Sequence, residues 1–281
     1  MSIKKILVPL TGQVPSRDVL VAGLDLATQF EASLAVAHIH QDPTMSIAYA
    51  GAGAAGAGSG AGMEMILEAA EAEAQERERR ARALFDEVAA GRSDATLDVT
   101  TGSEADILAA RARLADLVLF PRPGEGVSSS TERDIEAVLF ESGRPVYLVP
   151  PETATKPEHR GTVIVAWNDS PEAARALKAA MPFLRGAQRT IILAVGEGEP
   201  VGVRDYLAAH GLSAEALTVK SESGGLFDDP TGSLILETCK EQGAGLLVMG
   251  AFTHMRIRQM VIAGATRTVM AQSPIPVLMM H

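Results

Sequence analysis

Two glycines and a hydroxyl late in the sequence have the residue types of a phosphate-binding turn. Gly250 follows the apolar segment 246–249, and Gly264 and Thr266 come soon after it. Glycine lets the backbone approach a phosphate closely, a helix N-terminus offers N–H donors and a favourable dipole, and a hydroxyl adds a hydrogen bond. The same pattern is typical of a strand-to-helix turn followed by a helix with a small-residue face. A cradle for a small anion and a purely structural turn therefore both stay open.

The other residue types that could carry chemistry do not form a complete catalytic set. His38 and His40 are two positions apart in an extended segment, so they share a face and could share a metal ion. No third ligand lies nearby in the sequence, and a polar strand end is the default interpretation. Cys239 has no neighbouring histidine and is interpreted as a packing residue. Because the sequence shows no hydrolase triad, metal cluster or complete P-loop, we expect a protein that is not an enzyme.

The elements that must position these residues alternate between short apolar segments and amphipathic ones. Continuously apolar runs are typical of strands covered on both faces, and strand alternating with helix predicts right-handed crossovers in a doubly wound α/β fold. The predicted strands are 6–10, 34–39, 117–120, 146–149, 163–167, 190–195, 246–249 and 277–280. The predicted helices are 16–29, 64–90, 104–114, 171–184, 233–242 and 255–271.

The two halves of the chain repeat each other. The tripeptide Thr-Gly-Ser occurs at 101–103 and again at 231–233, and the pattern S-x-x-P-V occurs at 142–146 and at 273–277, before the last predicted strand of each half. Because such correspondences recur in the same order, they indicate a duplication. We predict domains at 1–150 and 161–281, joined by a Pro-rich linker at 150–160. A Gly/Ala-rich insertion at about 50–62 is expected to be a flexible loop.

Charge and composition narrow the classes of partner. The net charge of −10 argues against nucleic acid, which requires a basic face. Residues 1–150 hold 13 Lys and Arg against 22 Asp and Glu, whereas residues 151–281 hold 12 against 13, so the second half is the better host for an anion. No apolar run is long enough to predict a membrane span, and the single cysteine fits a reducing compartment. We expect a soluble, cytoplasmic protein.

Several segments together resemble the universal stress protein family. In the second half these are VIVAWNDS at 163–170, LVMGAFTH at 247–254 and GATRT at 264–268, with the closing S-x-x-P-V. The first half is similar at 6–12 and 139–146. The resemblance implies two Rossmann-like domains, each a five-stranded parallel sheet flanked by helices. It also implies dimerisation, in which tandem domains can pair within one chain.

One branch of that family binds ATP through G-x-x-G, nine residues, and then G-[S/T], and this sequence keeps the motif only in part. In the second half Gly250 matches the first glycine, while Thr253 and Ala263 stand at the other two. Gly264 takes the first hydroxyl position, and Thr266 matches a hydroxyl position two residues on. The first half departs further, since Thr11 stands at the family's aspartate position and Phe120-Pro121-Arg122-Pro123 replaces the loop.

The resemblance therefore implies a nucleotide site, if one exists, in the second half alone. Its residues would be Asn168 (at the aspartate position), Gly250, Thr253, Gly264, Ala265 and Thr266. The first functional hypothesis is a stress-response protein that acts through dimerisation and protein partners, with at best partial nucleotide binding. The alternative is a sensor that binds ATP or another adenine nucleotide through its C-terminal domain.

Overall fold

The computed structural model describes residues 2–12, 16–40, 60–124, 127, 130–151, 160–196, 200, 202–220, 230–252 and 263–281. Most of the Gly/Ala-rich insertion, the linker at 152–159, Thr253 and the predicted helical residues 255–262 lie outside the described residues. The flexible loop, the linker, the ligand role of Thr253 and the start of the last helix therefore stay predictions.

Ten strands and eight helices alternate along the described part of the chain. The strands are Lys5–Pro9 (β1), Ser33–His40 (β2), Ala95–Thr101 (β3), Leu117–Pro121 (β4), Val146–Val149 (β5), Thr162–Ala166 (β6), Arg189–Val195 (β7), Glu215–Val219 (β8), Ala244–Gly250 (β9) and Val277–Met280 (β10). The helices are Ser16–Phe30 (α1), Gly60–Val88 (α2), Glu104–Ala112 (α3), Ser130–Ser142 (α4), Pro171–Leu184 (α5), Val203–Ala209 (α6), Thr231–Glu241 (α7) and Ala263–Gln272 (α8).

All ten strands belong to one sheet, in the order β3-β2-β1-β4-β5-β10-β9-β6-β7-β8. The first five and the last five strands have the same internal order read from opposite edges, and each set is parallel. Two Rossmann-like sets of five parallel strands are thus confirmed. The sets are joined edge to edge, because β5 and β10 pair antiparallel with Tyr147 opposite Leu278.

Four elements were missed from the sequence. Strands β3 and β8 form the two outer edges of the sheet, and their mixture of exposed and half-exposed residues lacks the continuous apolar run of a central strand. Helix α4 is rich in charge, and its buried stripe is short. Helix α6 has only seven residues. Each of these elements is held by packing against neighbours more than by a strong local pattern.

Helices cover both faces of the sheet, and the core continues across the junction of the halves. Helices α1, α2, α5 and α6 pack on one face, and α3, α4, α7 and α8 on the other. On the first face the Phe183 ring lies 5.0 Å from the ring of Phe30 and stacks 5.8 Å from that of Tyr147. Side chains of both halves therefore share one apolar core. Among the described helices, none combines the length and apolarity that a membrane crossing requires.

Candidate functional site

The predicted site lies where the connections of two adjacent parallel strands diverge. Strands β6 and β9 pair with Ala166 opposite Met249. The chain leaves β6 for α5 on one face of the sheet and leaves β9 for α8 on the other. Crevices at the carboxyl ends of such strands are the usual ligand sites of open α/β sheets. Asn168 follows β6, Gly250 ends β9 and Thr266 lies in α8, so the fold brings these predicted residues to one edge.

Asn168 takes part in capping α5. The Ser170 hydroxyl donates to Asn168 Oδ1 over 2.7 Å and accepts from the Ala173 backbone N–H over 3.1 Å, so Ser170 is the N-cap. Asn168 itself is exposed. Its side-chain amide nitrogen makes no hydrogen bond to the described residues, which leaves two N–H donors for a ligand or solvent.

Gly250 is required by the approach of α5. A Cβ at this position would lie 2.7 Å from the Ala173 backbone nitrogen and 2.9 Å from the carbonyl carbon of Glu172. Backbone atoms cannot move aside as a flexible side chain can, so any larger residue would push the helix N-terminus away from β9. The glycine thus has a packing role that is independent of phosphate.

The Thr266 hydroxyl is used inside the protein. The residue is buried, and its Oγ1 accepts the backbone N–H of Phe252 over 3.2 Å. Phe252 has a φ of 55°, a left-handed conformation that a bulky residue adopts only when its surroundings hold it. Thr266 therefore fixes the turn after β9, and its oxygen already has a donor.

The other two predicted residues of α8 are Gly264 and Ala265, and Ala265 lies where α8 packs against α7. A Cβ on Gly232 of α7 would lie 3.1 Å from the Ala265 Cα and 2.7 Å from the Thr268 Cβ, so α7 and α8 are in close contact there. Ala265 therefore lies on the part of α8 that packs closely against α7. Gly264 is half-buried in the first turn of α8. The assignment of Gly264, Ala265 and Thr266 to a ligand stays a prediction.

An aromatic cluster from both halves covers the turn after β9. The Phe252 ring, 4% exposed, lies 5.4 Å from the ring of Phe140 in α4. Phe140 also meets the His281 ring edge to face at 4.3 Å, and His281 Nδ1 lies 3.1 Å from the Ala251 carbonyl oxygen. A helix of the first half therefore packs beside the turn that would have to receive a phosphate. Sequence reasoning missed this cluster, since its members are distant in the chain.

The corresponding turn of the first half makes the reciprocal contact. Arg122 directly follows β4, and its guanidinium donates to the carbonyl oxygen of Ala271 at the end of α8. In strand register Phe120 stands where the second half has Met249, and Pro121 stands where it has Gly250. Positive charge near the last turn of a helix is also favourable. Each half thus contributes a residue after its fourth strand to hold the last helix of the other.

His38 and His40 lie in different environments and have different partners. His38 is buried, its Nδ1 lies 2.6 Å from the Leu10 carbonyl oxygen, and burial lowers the pKa of its imidazole. The ring of His40 lies between carboxylates of Glu71 and Glu78 in α2, each 3.5 Å from a different ring nitrogen. Within the described residues no group of three side chains is arranged to hold a metal ion. The partners of His40 are seven residues apart, a spacing that places them on one helix face and could have indicated the contact.

Comparison with known proteins gives one family and one fold. A family model described as the universal stress protein family matches residues 159–281. No curated protein matches the chain. A universal stress protein from Archaeoglobus fulgidus DSM 4304 is 15% identical over 99% of this chain and 96% of its own, with a TM-score of 0.65. A protein of unknown function from Pseudomonas aeruginosa PAO1 is 14% identical over 99% and 92%, with a TM-score of 0.56. At these identities the likeness concerns the fold, and it spans both halves.

Proposed function

We propose that this chain, whose residues 159–281 match the universal stress protein family model, is a stress-response protein that acts through dimerisation and protein partners and binds nucleotide at most weakly. The observation that carries this proposal is the internal use of the turn after β9. Thr266 Oγ1 accepts from Phe252, and the space that Gly250 provides is taken by the N-terminus of α5. A phosphate would have to displace contacts that hold the fold.

The ring of Phe252 supports the same conclusion. It lies beneath Phe140 in the position that follows β9, where the family's ATP-binding branch has an open glycine-rich loop. Moving it would expose a buried phenyl side chain, which costs roughly 1.5–3 kcal/mol. A nucleotide would have to offset that cost before any net binding appeared.

A second candidate function is an adenine-nucleotide sensor in the C-terminal domain. It is favoured by the convergence of Asn168, Gly250 and Thr266 at one strand edge and by the Asn168 amide nitrogen, which has no hydrogen-bond partner in the described part of the chain. The near balance of charge in residues 151–281 would also repel a nucleotide less than the acidic first half.

Calorimetric titration of ATP and AMP into the purified chain distinguishes the two functions. Asn168→Ala is the informative loss variant because Asn168 is exposed and its change leaves the core intact. Gly250→Asp is unsuitable, since its Cβ would collide with α5 whether or not nucleotide binds. A double variant, Thr253→Gly with Ala263→Gly, restores the family's glycines.

For the first function we expect no saturable heat with the natural chain at about 1 mM ATP, a concentration that would detect free energies near −4 kcal/mol. Micromolar binding that Asn168→Ala weakens would establish the sensor instead. Binding gained only by the double glycine variant would show that the lost glycines are the cause. Phosphate release above a heat-treated control would contradict the prediction that the protein is not an enzyme.

Dimerisation would have to use a surface other than the β5 and β10 edges. Those two strands pair with each other within one chain, so the open edges of the sheet are β3 and β8. Light scattering after size exclusion should give twice the 29.5 kDa chain mass. A mass of one chain over the micromolar range would contradict the homodimer and leave partner binding to the monomer. Placement in the cytoplasm stays a prediction.

A further inference from the structure

A groove separate from the predicted nucleotide turn lies between α5 and α6. Its volume is about 500 Å³, within the range of small-molecule sites. Trp167, Leu177, Val203 and Tyr206 line it. Leu177 and Val203 are buried, whereas Tyr206 is 41% exposed. Two aromatic rings on one apolar groove provide flat surfaces against which another ring can pack.

The groove is on the opposite face of the sheet from Thr266. Side chains alternate along β6, so Val163 and Val165 join the core under α5, and Trp167, two residues further on, packs against the same core. Thr266 belongs to α8, which covers the other face. A molecule in the groove would therefore leave the contact between Phe252 and Thr266 untouched.

Charged side chains that line the groove determine which ligand charge it would favour. The Arg175 guanidinium is engaged by Glu172 at 2.6 Å and by the His281 carbonyl oxygen at 2.8 Å. Lys178, exposed one turn further along α5, has no ion-pair partner among the described residues. Asp169 also lines the groove but precedes α5, so about nine residues at 1.5 Å rise separate it from Lys178 along the helix. An acid would be repelled at the Asp169 end and attracted at the Lys178 end.

We propose that this groove binds a small aromatic carboxylate. Its ring would lie between Trp167 and Tyr206, and its carboxylate would pair with the Lys178 ammonium. This site is independent of the proposed function, because it shares no residue with the turn after β9.

The site carries its own reporter, since Trp167 is the single tryptophan of the chain. Phenylacetate is titrated against the full chain with excitation of tryptophan fluorescence, and phenylacetamide serves as the uncharged isostere. We expect a saturable change with phenylacetate and binding of phenylacetamide about fivefold weaker, the order expected for one exposed charge pair. Lys178→Gln should weaken phenylacetate about fivefold and leave phenylacetamide unchanged.

Lys240→Gln is the matched control, because Lys240 is an exposed lysine on α7 at the other face of the sheet. It should bind phenylacetate as the natural chain does. Amide shifts in an NMR titration should be confined to Gly202, Val203 and the first turns of α5, together with the Trp167 indole N–H. No saturable fluorescence change, equal affinity for the amide, or equal effects of the two lysine variants would overturn the proposal.

Discussion

The rings of Phe140 and Phe252 lie 5.4 Å apart across the junction of the two halves. Phe140 comes from the last helix of the first half, and Phe252 from the turn after the fourth strand of the second. The reciprocal contact joins Arg122 to the Ala271 carbonyl oxygen. In both contacts the turn after the fourth strand of one half meets the last helix of the other half, as a two-fold interface produces, here within one chain. The two contacts differ in chemistry, since one is aromatic packing and the other is a hydrogen bond at a helix end.

A double-mutant cycle on Phe140 and Phe252 should give a favourable coupling of about 0.5–1.5 kcal/mol in the free energy of unfolding, as expected for a packed aromatic pair. The variants are Phe140→Ala, Phe252→Ala and their combination, each measured by denaturant unfolding. Phe140→Ala combined with Phe183→Leu is the control, since these residues pack on opposite faces of the sheet and should be additive. Additivity of the first pair would show that the halves are not coupled through these rings.

Asp134 should make the protein less stable as the pH rises from about 4 to about 7. The side chain is 4% exposed in α4, and burial, with the charge of Glu104, raises its pKa to about 7, against a partial opposing effect of Arg133. Between the unfolded pKa of 3.8 and the folded pKa of about 7, Asp134 is protonated in the folded state but ionised in the unfolded state. The free energy of unfolding therefore falls as the pH rises through this range and is constant above it. The loss amounts to up to about 4 kcal/mol.

Asp134→Asn should abolish most of that slope and raise the free energy of unfolding at pH 8. The measurement is a series of urea unfolding curves from pH 4 to pH 8. Glu132→Gln, an exposed carboxylate change on the same helix, should leave the slope as it is. If the Asn variant kept the natural pH profile, Asp134 would not be the titrating group.

Tyr147→Phe should leave stability unchanged or increase it by up to about 1–3 kcal/mol. The Tyr147 hydroxyl is buried beside Phe183 without a hydrogen-bond partner among the described residues, and burial raises the pKa of the phenol. Removing it relieves a desolvation cost while keeping the stacked ring. Tyr147→Leu, which removes the ring as well, should lower the thermal midpoint. A destabilised Phe variant would mean that the hydroxyl is satisfied in solution.

Cys239 should react with a thiol reagent only when the protein unfolds. It is buried in α7, and burial raises the pKa of its thiol to about 12, so almost no thiolate exists at neutral pH. One thiol per chain should react with Ellman's reagent in denaturant and essentially none in buffer. Fast labelling of the native protein would contradict the packing role that the sequence suggested.

The central strands and α5 could be predicted because their patterns are local. Helix α5 has the predicted bounds, with Ser170 capping it and Pro171 in its first turn. The edge strands β3 and β8 could not be predicted, because partly or fully exposed residues such as Thr100 and Glu215 give no continuous apolar signal. Their existence was implied only by the family resemblance.

The location of the candidate site could be predicted from the sequence, but the contacts that its residues make could not. The strand order brings Asn168 and Gly250 to one edge, as the motif implied. The N-terminus of α5 fills the space where a side chain at Gly250 would lie, and the Thr266 hydroxyl accepts the backbone N–H of Phe252. Both contacts join residues that are distant in the chain, so no spacing in the sequence indicates them. Packing against α5 is thus enough to require a glycine at position 250, whether or not a ligand binds there.

The most direct test of this account is the amide resonance of Phe252 in a ¹⁵N spectrum recorded with and without about 1 mM ATP and Mg²⁺. The N–H of Phe252 reports the hydrogen bond to Thr266 Oγ1 at the centre of the predicted phosphate turn. We predict that its shift and its slow hydrogen exchange are unchanged by ATP. A saturable shift of this resonance, abolished by Asn168→Ala, would show that the turn opens to receive a phosphate and would contradict the account.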